Sequence, residues 1–261
     1  MKKPSRLDYA YAVGRVRALE RHLVSRSVFN QAAEERDLFG VFKVIFDAGK
    51  FHEETLTIQD SGEFDVFLDK EEDILFRTVS EILLEDSILN ILRSEERPEE
   101  ALALAEDTDY PFIRDYVQHK IDLGNLKMLM RSKYLDFSEE GFARMMLKGG
   151  FLEERFLLDS YDLPFPEIGD RLHATPYQGA WNSAADALME RETFVELERG
   201  FEDFLMDYLR KARHIVFGPE PVFSYALARK RELNLVRFVG VGKMNGLLPS
   251  IIKERISETY V

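Results

Sequence analysis

Cysteine is absent from the 261 residues. That one gap removes disulfides, thiolate metal sites and a cysteine nucleophile together. Long apolar runs are missing as well, since no stretch approaches the ~18 residues needed to span a bilayer. The opening Met1-Lys2-Lys3-Pro4-Ser5-Arg6 is basic, yet Leu7-Asp8-Tyr9-Ala10-Tyr11-Ala12-Val13 follows it, with no apolar core of signal-peptide length. The expectation is a soluble cytoplasmic protein with no direct membrane insertion, which reaches a membrane only by docking on something that spans it. Positive charge is in the minority: 35 Lys and Arg stand against 48 Asp and Glu, for a net charge of −13. Phosphate-backbone binding needs a basic face, so nucleic acid is not an expected partner.

Motifs for chemistry are also missing. Gly240-Val241-Gly242-Lys243-Met244-Asn245-Gly246 has the look of a phosphate cradle, but a P-loop needs Gly where Arg237 stands and Ser or Thr where Met244 stands. A dinucleotide fingerprint needs its third Gly at Asn245 and a strand before it. The stretch reads as a helix terminus instead. The five histidines His22, His52, His119, His173 and His214 form no pair on one helical face that ligates a metal. His52-Glu53-Glu54 is too closely spaced and reads as an exposed turn. There is no Gly-x-Ser-x-Gly elbow, and nothing marks out a catalytic pair among the carboxylates. No catalytic residue, cofactor or metal is assigned.

What is present is helical periodicity with a 45% hydrophobic content, enough for a substantial core. Helices are expected over 8–27, 28–50, 71–93, 101–107, 112–134, 138–147, 151–159, 181–214, 222–243 and 249–260. Gly49 and Gly149-Gly150 are expected to end helices, and Ser138 to cap one, with Phe142, Met145 and Met146 facing in. Residues 51–69 are the least regular, with two short strands or a helix as the alternatives. The Pro- and Gly-rich 161–179 reads as a connector.

The organising stretch is Gly218-Pro219-Glu220-Pro221 followed by 222–243 and Gly246. Pro and Gly open a helix where first-turn amides lack partners. Val222, Tyr225, Ala226, Leu233, Val236 and Val239 line one side, while Arg229, Lys230, Arg231, Glu232, Arg237 and Lys243 suggest one wet face. Shifting by 110 residues lays Pro221, Lys230, Leu233 and Lys243 on Pro111, Lys120, Leu123 and Lys133, and pairs Glu232 with Asp122 and Arg237 with Lys127. A second shift reaches Leu7, Val13, Val16, Arg17 and Leu19. The pattern argues for a threefold internal repeat, approximately 1–70, 71–180 and 181–261, within a single domain.

The end of the chain carries Gly218-Pro219-Glu220-Pro221, Tyr225-Ala226-Leu227-Ala228, Glu232, Arg237, Gly242-Lys243, Gly246-Leu247, Pro249 and Tyr260-Val261. It resembles the C subunit of V/A-type rotary ATPases, a family that includes the eukaryotic d subunit. Tyr9, Tyr11-Ala12 and Arg15-Val16-Arg17-Ala18-Leu19-Glu20 resemble that family's opening motif. Asp115-Tyr116-Val117, Ile121-Asp122-Leu123, Asn125-Leu126-Lys127 and Leu129 resemble its central helix, with Gly149-Gly150 as the following turn. The matching regions cover about two-thirds of the chain. Family members are usually longer, and the shortage falls between Leu23 and Asn90.

The resemblance implies an all-α funnel of three similar lobes around a pseudo-threefold axis. It implies a non-catalytic rotor subunit, peripheral on the membrane through its contact with the proteolipid ring, that receives the central shaft. The repeated basic positions Arg17, Lys127 and Arg237, with Arg131 and Lys243, are the expected partner contacts, because sign is kept three times in an acidic chain. The bland reading of the same residues is that they pair with carboxylates of their own chain. A helical-repeat adaptor for other soluble partners and an enzyme whose carboxylates converge only in three dimensions are the other classes left open.

Overall fold

The computed structural model describes residues 4–49, 51, 58 and 61–261. Among these, every regular element is a helix. The chain divides into two compact units, one of Met1–Leu89 with Met206–Val261 and one of Asn90–Leu205.

The first unit holds α1 (Ala10–Glu20), α2 (Arg26–Glu34), α3 (Leu38–Ala48) and α4 (Ser61–Ser80). α5 (Asp86–Arg93) begins in it. Three expected helices are broken here. The 8–27 helix stops at Glu20, and the 28–50 helix is interrupted because Asp37 accepts a hydrogen bond from the Gly40 amide at 2.8 Å and starts α3 afresh. From residue 61 onward the irregular 51–69 stretch is helix, not strand. Residues 50, 52–57, 59 and 60 lie outside the described residues, and with them the expected His52-Glu53-Glu54 turn. The 71–93 helix is two helices, α4 and α5, separated at 81–85.

The second unit contains α6 (Pro98–Glu106), α7 (Pro111–Tyr134), α8 (Glu139–Met145), α9 (Glu154–Leu158), α10 (Phe165–Arg171) and α11 (Gln178–Arg191). α12 (Val195–Arg210) begins in it. The supposed connector 161–179 therefore contains α10 and a 3-10 turn at Leu172–Ala174. The 181–214 helix breaks at Glu192, whose φ of 52° is left-handed. Met145, expected inside, is 41% exposed, while Phe142 is fully buried.

α13 (Glu220–Met244) and α14 (Pro249–Arg255) return to the first unit. Its core is Phe29, Phe42, Ile45, Phe64, Val236, Val239 and Ile252, all 1% exposed or less. The second unit's core is Leu126, Phe142, Leu157, Trp181, Leu197 and Phe201. Each such side chain removed from water contributes roughly 1.5–3 kcal/mol. α13 differs from expectation in one respect: Arg229 and Glu232, assigned to a wet face, are 7% and 3% exposed.

Candidate functional site

The two long helices α7 and α13, which the 110-residue shift lays on each other, close with the same backbone turn. α7 and α13 end at the equivalent residues Tyr134 and Met244, and each is followed by a left-handed residue, Asp136 (φ 53°) and Gly246 (φ 68°). The closing hydrogen bonds also match: Phe137 N–H donates to Ser132 O at 2.9 Å, and Leu247 N–H donates to Gly242 O at 2.9 Å. This helix-end geometry satisfies carbonyls that the last turn leaves open. A short helix then starts after Ser138 and after Leu248, and its fourth residue, Phe142 or Ile252, is fully buried. At the third place the shift lands on α1, which stops four residues early.

The turns themselves stay in solvent. Tyr134, Leu135 and Phe137 are 41–55% exposed, and Leu247, Leu248 and Ile251 are 37–63% exposed. The exposed apolar side chains of the two turns form the candidate contact surfaces, although only Phe137 and Leu247 fall on equivalent positions, and periodicity alone missed them because it sorts apolar residues inward.

Each long helix also buries a carboxylate at the same repeat position. Asp122 accepts the amides of Phe151 and Leu152 at 3.1 and 3.0 Å and the Tyr177 hydroxyl at 2.7 Å. Burial raises its pKa above the usual carboxylate range, against the pull of those three donors. Tyr177 OH in turn lies 2.6 Å from His119 Nδ1; with its proton given to Asp122, it accepts from that nitrogen. Glu232 accepts the Val24 amide at 3.2 Å and pairs with Arg229, which reaches Glu71 at 3.0 Å. Burial pushes Glu232 up to about 7. Asp122 and Tyr177 with His119 look like a proton relay, but their bonds tie the 147–152 connector to α7. Gln118 holds Gly149 O, and Asn125 both gives to and receives from Leu147.

The five expected contact residues all have partners within their own unit. Arg17 pairs with Glu20 at 2.6 Å and donates to the carbonyls of Ala212, Arg213 and Ile215. Lys127 pairs with Glu198 at 2.8 Å, and Arg131 reaches the same carboxylate at 2.5 Å. Arg237 pairs with Asp65 at 2.7 Å and Lys243 donates to Glu35 O at 2.6 Å. Arg131 and Arg237 keep about half of their side-chain surface in water. Among the described residues no three His, Asp or Glu side chains converge as a metal site, and no helix is long and apolar enough to cross a membrane.

Among its described residues the molecule is thus an all-helical protein whose two longest helices, α7 and α13, end in exposed apolar turns. Residues 98–255 match the family described as ATP synthase (C/AC39) subunit, and the chain belongs to that family, the C and d subunits of V/A-type ATPases. It is 27% identical over 158 residues to the C subunit of the A-type ATP synthase of Desulfurococcus sp. (strain SY), covering 59% of this chain and 41% of that protein. Against the C subunit of the V-type sodium ATPase of Enterococcus hirae it is 25% identical over 158 residues, covering 60% and 47%. The matched region therefore spans less than half the length of these relatives. It holds α7, α8, α13 and α14; the opening motif at 9–20 lies outside it.

Proposed function

We propose that this chain is a non-catalytic central-stalk subunit of a V/A-type rotary ATPase. It acts as a socket that couples the central shaft to the membrane proteolipid ring, for ATP-driven ion transport or ATP synthesis. In this reading it works in the cytoplasm, peripheral on the membrane through the ring. The observation that carries it is the repeated, solvent-exposed apolar turn at the end of α7 and of α13, inside the stretch that defines the family. A coupling part needs stiff elements and surfaces for partners. Long helices packed at crystal-like density supply the first, and the two turns, with Arg131 and Arg237 close by, supply candidates for the second.

Co-purification with the source's central-shaft subunits and detergent-solubilised ring tests the reading. A complex with one copy of this chain supports it, while elution alone beside a competent shaft and ring removes it. Reversing Lys127 and Arg237 together should weaken that complex while the fold persists, because ion pairs in contact with water, as these are with 22% and 55% of the basic side chain exposed, contribute only about 0.2–1 kcal/mol each. Unchanged affinity would take these residues out of the interface. A second reading, a helical-repeat adaptor joining other soluble partners, is favoured by one fact: residues 1–97 lie outside the family match.

A further inference from the structure

Charge is spread unevenly over the first unit. Residues 6–19 and 208–219 hold six Lys and Arg and one acid, Asp8, in a chain whose net charge is −13. The two stretches lie side by side. Arg6 donates to Phe217 O at 2.7 Å, and Arg17 donates to the carbonyls of Ala212, Arg213 and Ile215 at 2.9–3.2 Å. The loop before α13 therefore runs antiparallel to the 3-10 turn Arg6–Tyr9 and to α1, tied to them at both ends.

Four of the six charges are matched inside the unit. Arg6 pairs with the buried Glu220 at 2.7 Å, Arg15 with Glu81 at 3.0 Å, Arg17 with Glu20 at 2.6 Å and Arg210 with Asp207 at 2.5 Å. Lys211 and Arg213 are exposed and have no carboxylate partner among the described residues; they lie over the rings of Tyr208 at 4.8 Å and Tyr260 at 5.9 Å. Cations at the end of α12 complement its dipole, which accounts for their sign. It does not account for the side chains beside them. Val216 is 66% exposed and Phe217 38%, and on the segment alongside, Leu7 and Tyr11 are 66% and 75% exposed, about one turn apart. A cluster of large apolar side chains left in water next to unmatched cations marks a contact surface.

We propose that this face docks on a membrane surface that contains anionic lipid. Lys211 and Arg213 meet the headgroups, while Leu7, Tyr11, Val216 and Phe217 enter the boundary between headgroups and acyl chains, a depth that tyrosine favours. Charge complementarity sets the orientation, because an anionic surface repels the acidic chain as a whole and attracts this face, within a Debye length of about 8 Å. Side chains that stand this far out suit a soft surface that closes around them better than a rigid partner. The contact is peripheral, since no described helix is long and apolar enough to cross a bilayer. The face lies at the N-terminal end of the 25-residue α13, and the turn at Leu247 and Leu248 lies at its other end, about 37 Å away at 1.5 Å per residue. The proposal goes beyond the rotary-complex reading and stands or falls apart from it, because it concerns lipid and neither the shaft nor the ring.

Flotation of the full-length protein with extruded vesicles tests it, comparing phosphatidylcholine alone with phosphatidylcholine that contains phosphatidylglycerol. At about 50 mM salt, binding to the mixed vesicles should exceed binding to the neutral ones at least about tenfold, and it should fall several-fold by about 300 mM as screening shortens the attraction. Lys211→Glu with Arg213→Glu should weaken it at least about twentyfold, since each basic side chain near such a surface contributes about fivefold. Val216→Ser with Phe217→Ser should weaken it about fivefold or more. Four results would each overturn the proposal: no binding to mixed vesicles up to about 1 mM lipid, equal binding to the two kinds of vesicle, binding that ignores salt, and a charge-reversed variant that melts normally and binds as the parent does. If that variant fails to fold, the lipid and salt comparisons on the parent protein decide alone. Binding that soluble polyglutamate abolishes, with the serine variant binding as the parent does, would assign the face to an acidic polypeptide and also overturn it.

Discussion

Asp122 and Glu232 stand 110 residues apart on different helices, and each accepts backbone amides from a segment outside its own helix, Phe151 and Leu152 in one case and Val24 in the other. A buried carboxylate at this repeat position fixes a connector. In the second unit the fit is close enough to require glycine: a Cβ on Gly150 would sit 2.1 Å from Asp122 Oδ1. Asp122→Ala orphans two amides, at about 1–3 kcal/mol for each buried group, and leaves the Tyr177 hydroxyl with His119 alone, so a loss of about 3–5 kcal/mol is expected. Gly150→Ala should cost about 1–3 kcal/mol by overpacking. With the carboxylate gone the methyl has room, so the double variant should fall short of the sum by about 1 kcal/mol or more in denaturant melts. Strict additivity would show that the two residues do not press on each other.

Glu232 makes stability depend on pH in a direction opposite to that of an ordinary salt-bridged acid. Facing it among the described residues are Arg229 on its own helix, Glu71 from α4, Tyr225, and Glu20 from α1 beyond that tyrosine. Burial raises its folded pKa from 4.5 to about 7, so the folded state binds its proton more tightly than the unfolded chain does. Its contribution is therefore complete below about pH 4.5 and is lost as pH rises through 7. Glu232→Gln keeps an acceptor for Val24 and removes the titration. The melting temperature of the parent minus that of the variant should fall steadily between pH 5 and pH 8. A flat difference would mean that Glu232 is already ionised at pH 5.

The turns after the long helices give a paired test of the repeat. Asp136 bears the steric strain of a left-handed φ that Gly246 adopts freely. Asp136→Gly should stabilise the second unit by about 0.5–1 kcal/mol, and Gly246→Asp should destabilise the first by a similar amount. Gly246→Val should cost more than Gly246→Asp, since a β-branched side chain tolerates that conformation least. Thermal melts of the three variants decide it, and equal effects for Asp and Val at 246 would contradict the assigned turn.

How far the sequence could be read depended on whether the signal was local. The bounds of α7 and α13, the Ser138 cap and the stop at Gly246 all follow from residues within a turn of the feature, and they stand as expected. The start of α3 was also within reach, because Asp37 three places before Gly40 is a capping signal inside an apolar run. The break at Glu192 has no such mark; a glutamate in the left-handed region carries no sequence signature. Arg229 and Glu232 were misplaced for another reason. Periodicity sends charges to water, and Glu71, which lets Arg229 stay inside, lies 158 residues away. The same distance hid the crossing of α4 over α13.

That buried charge leads to the last prediction. Arg229 is 7% exposed, lies 4.3 Å from the centre of the Phe51 ring and bridges Glu71 and Glu232, both less exposed still. Removing one side of such a network leaves uncompensated charge in a low-dielectric site, so Arg229→Met should cost about 3–5 kcal/mol in urea unfolding. A helix crossing can also be closed without charge, as His119 of α7 and Phe204 of α12 do by ring contact at 5.0 Å between centroids. Replacing both sides, Arg229→Met with Glu71→Leu, should therefore recover most of the loss, and adding Glu232→Gln should recover the rest. If the double variant is as unstable as Arg229→Met alone, the guanidinium holds α13 through other contacts and not through its pairing with Glu71.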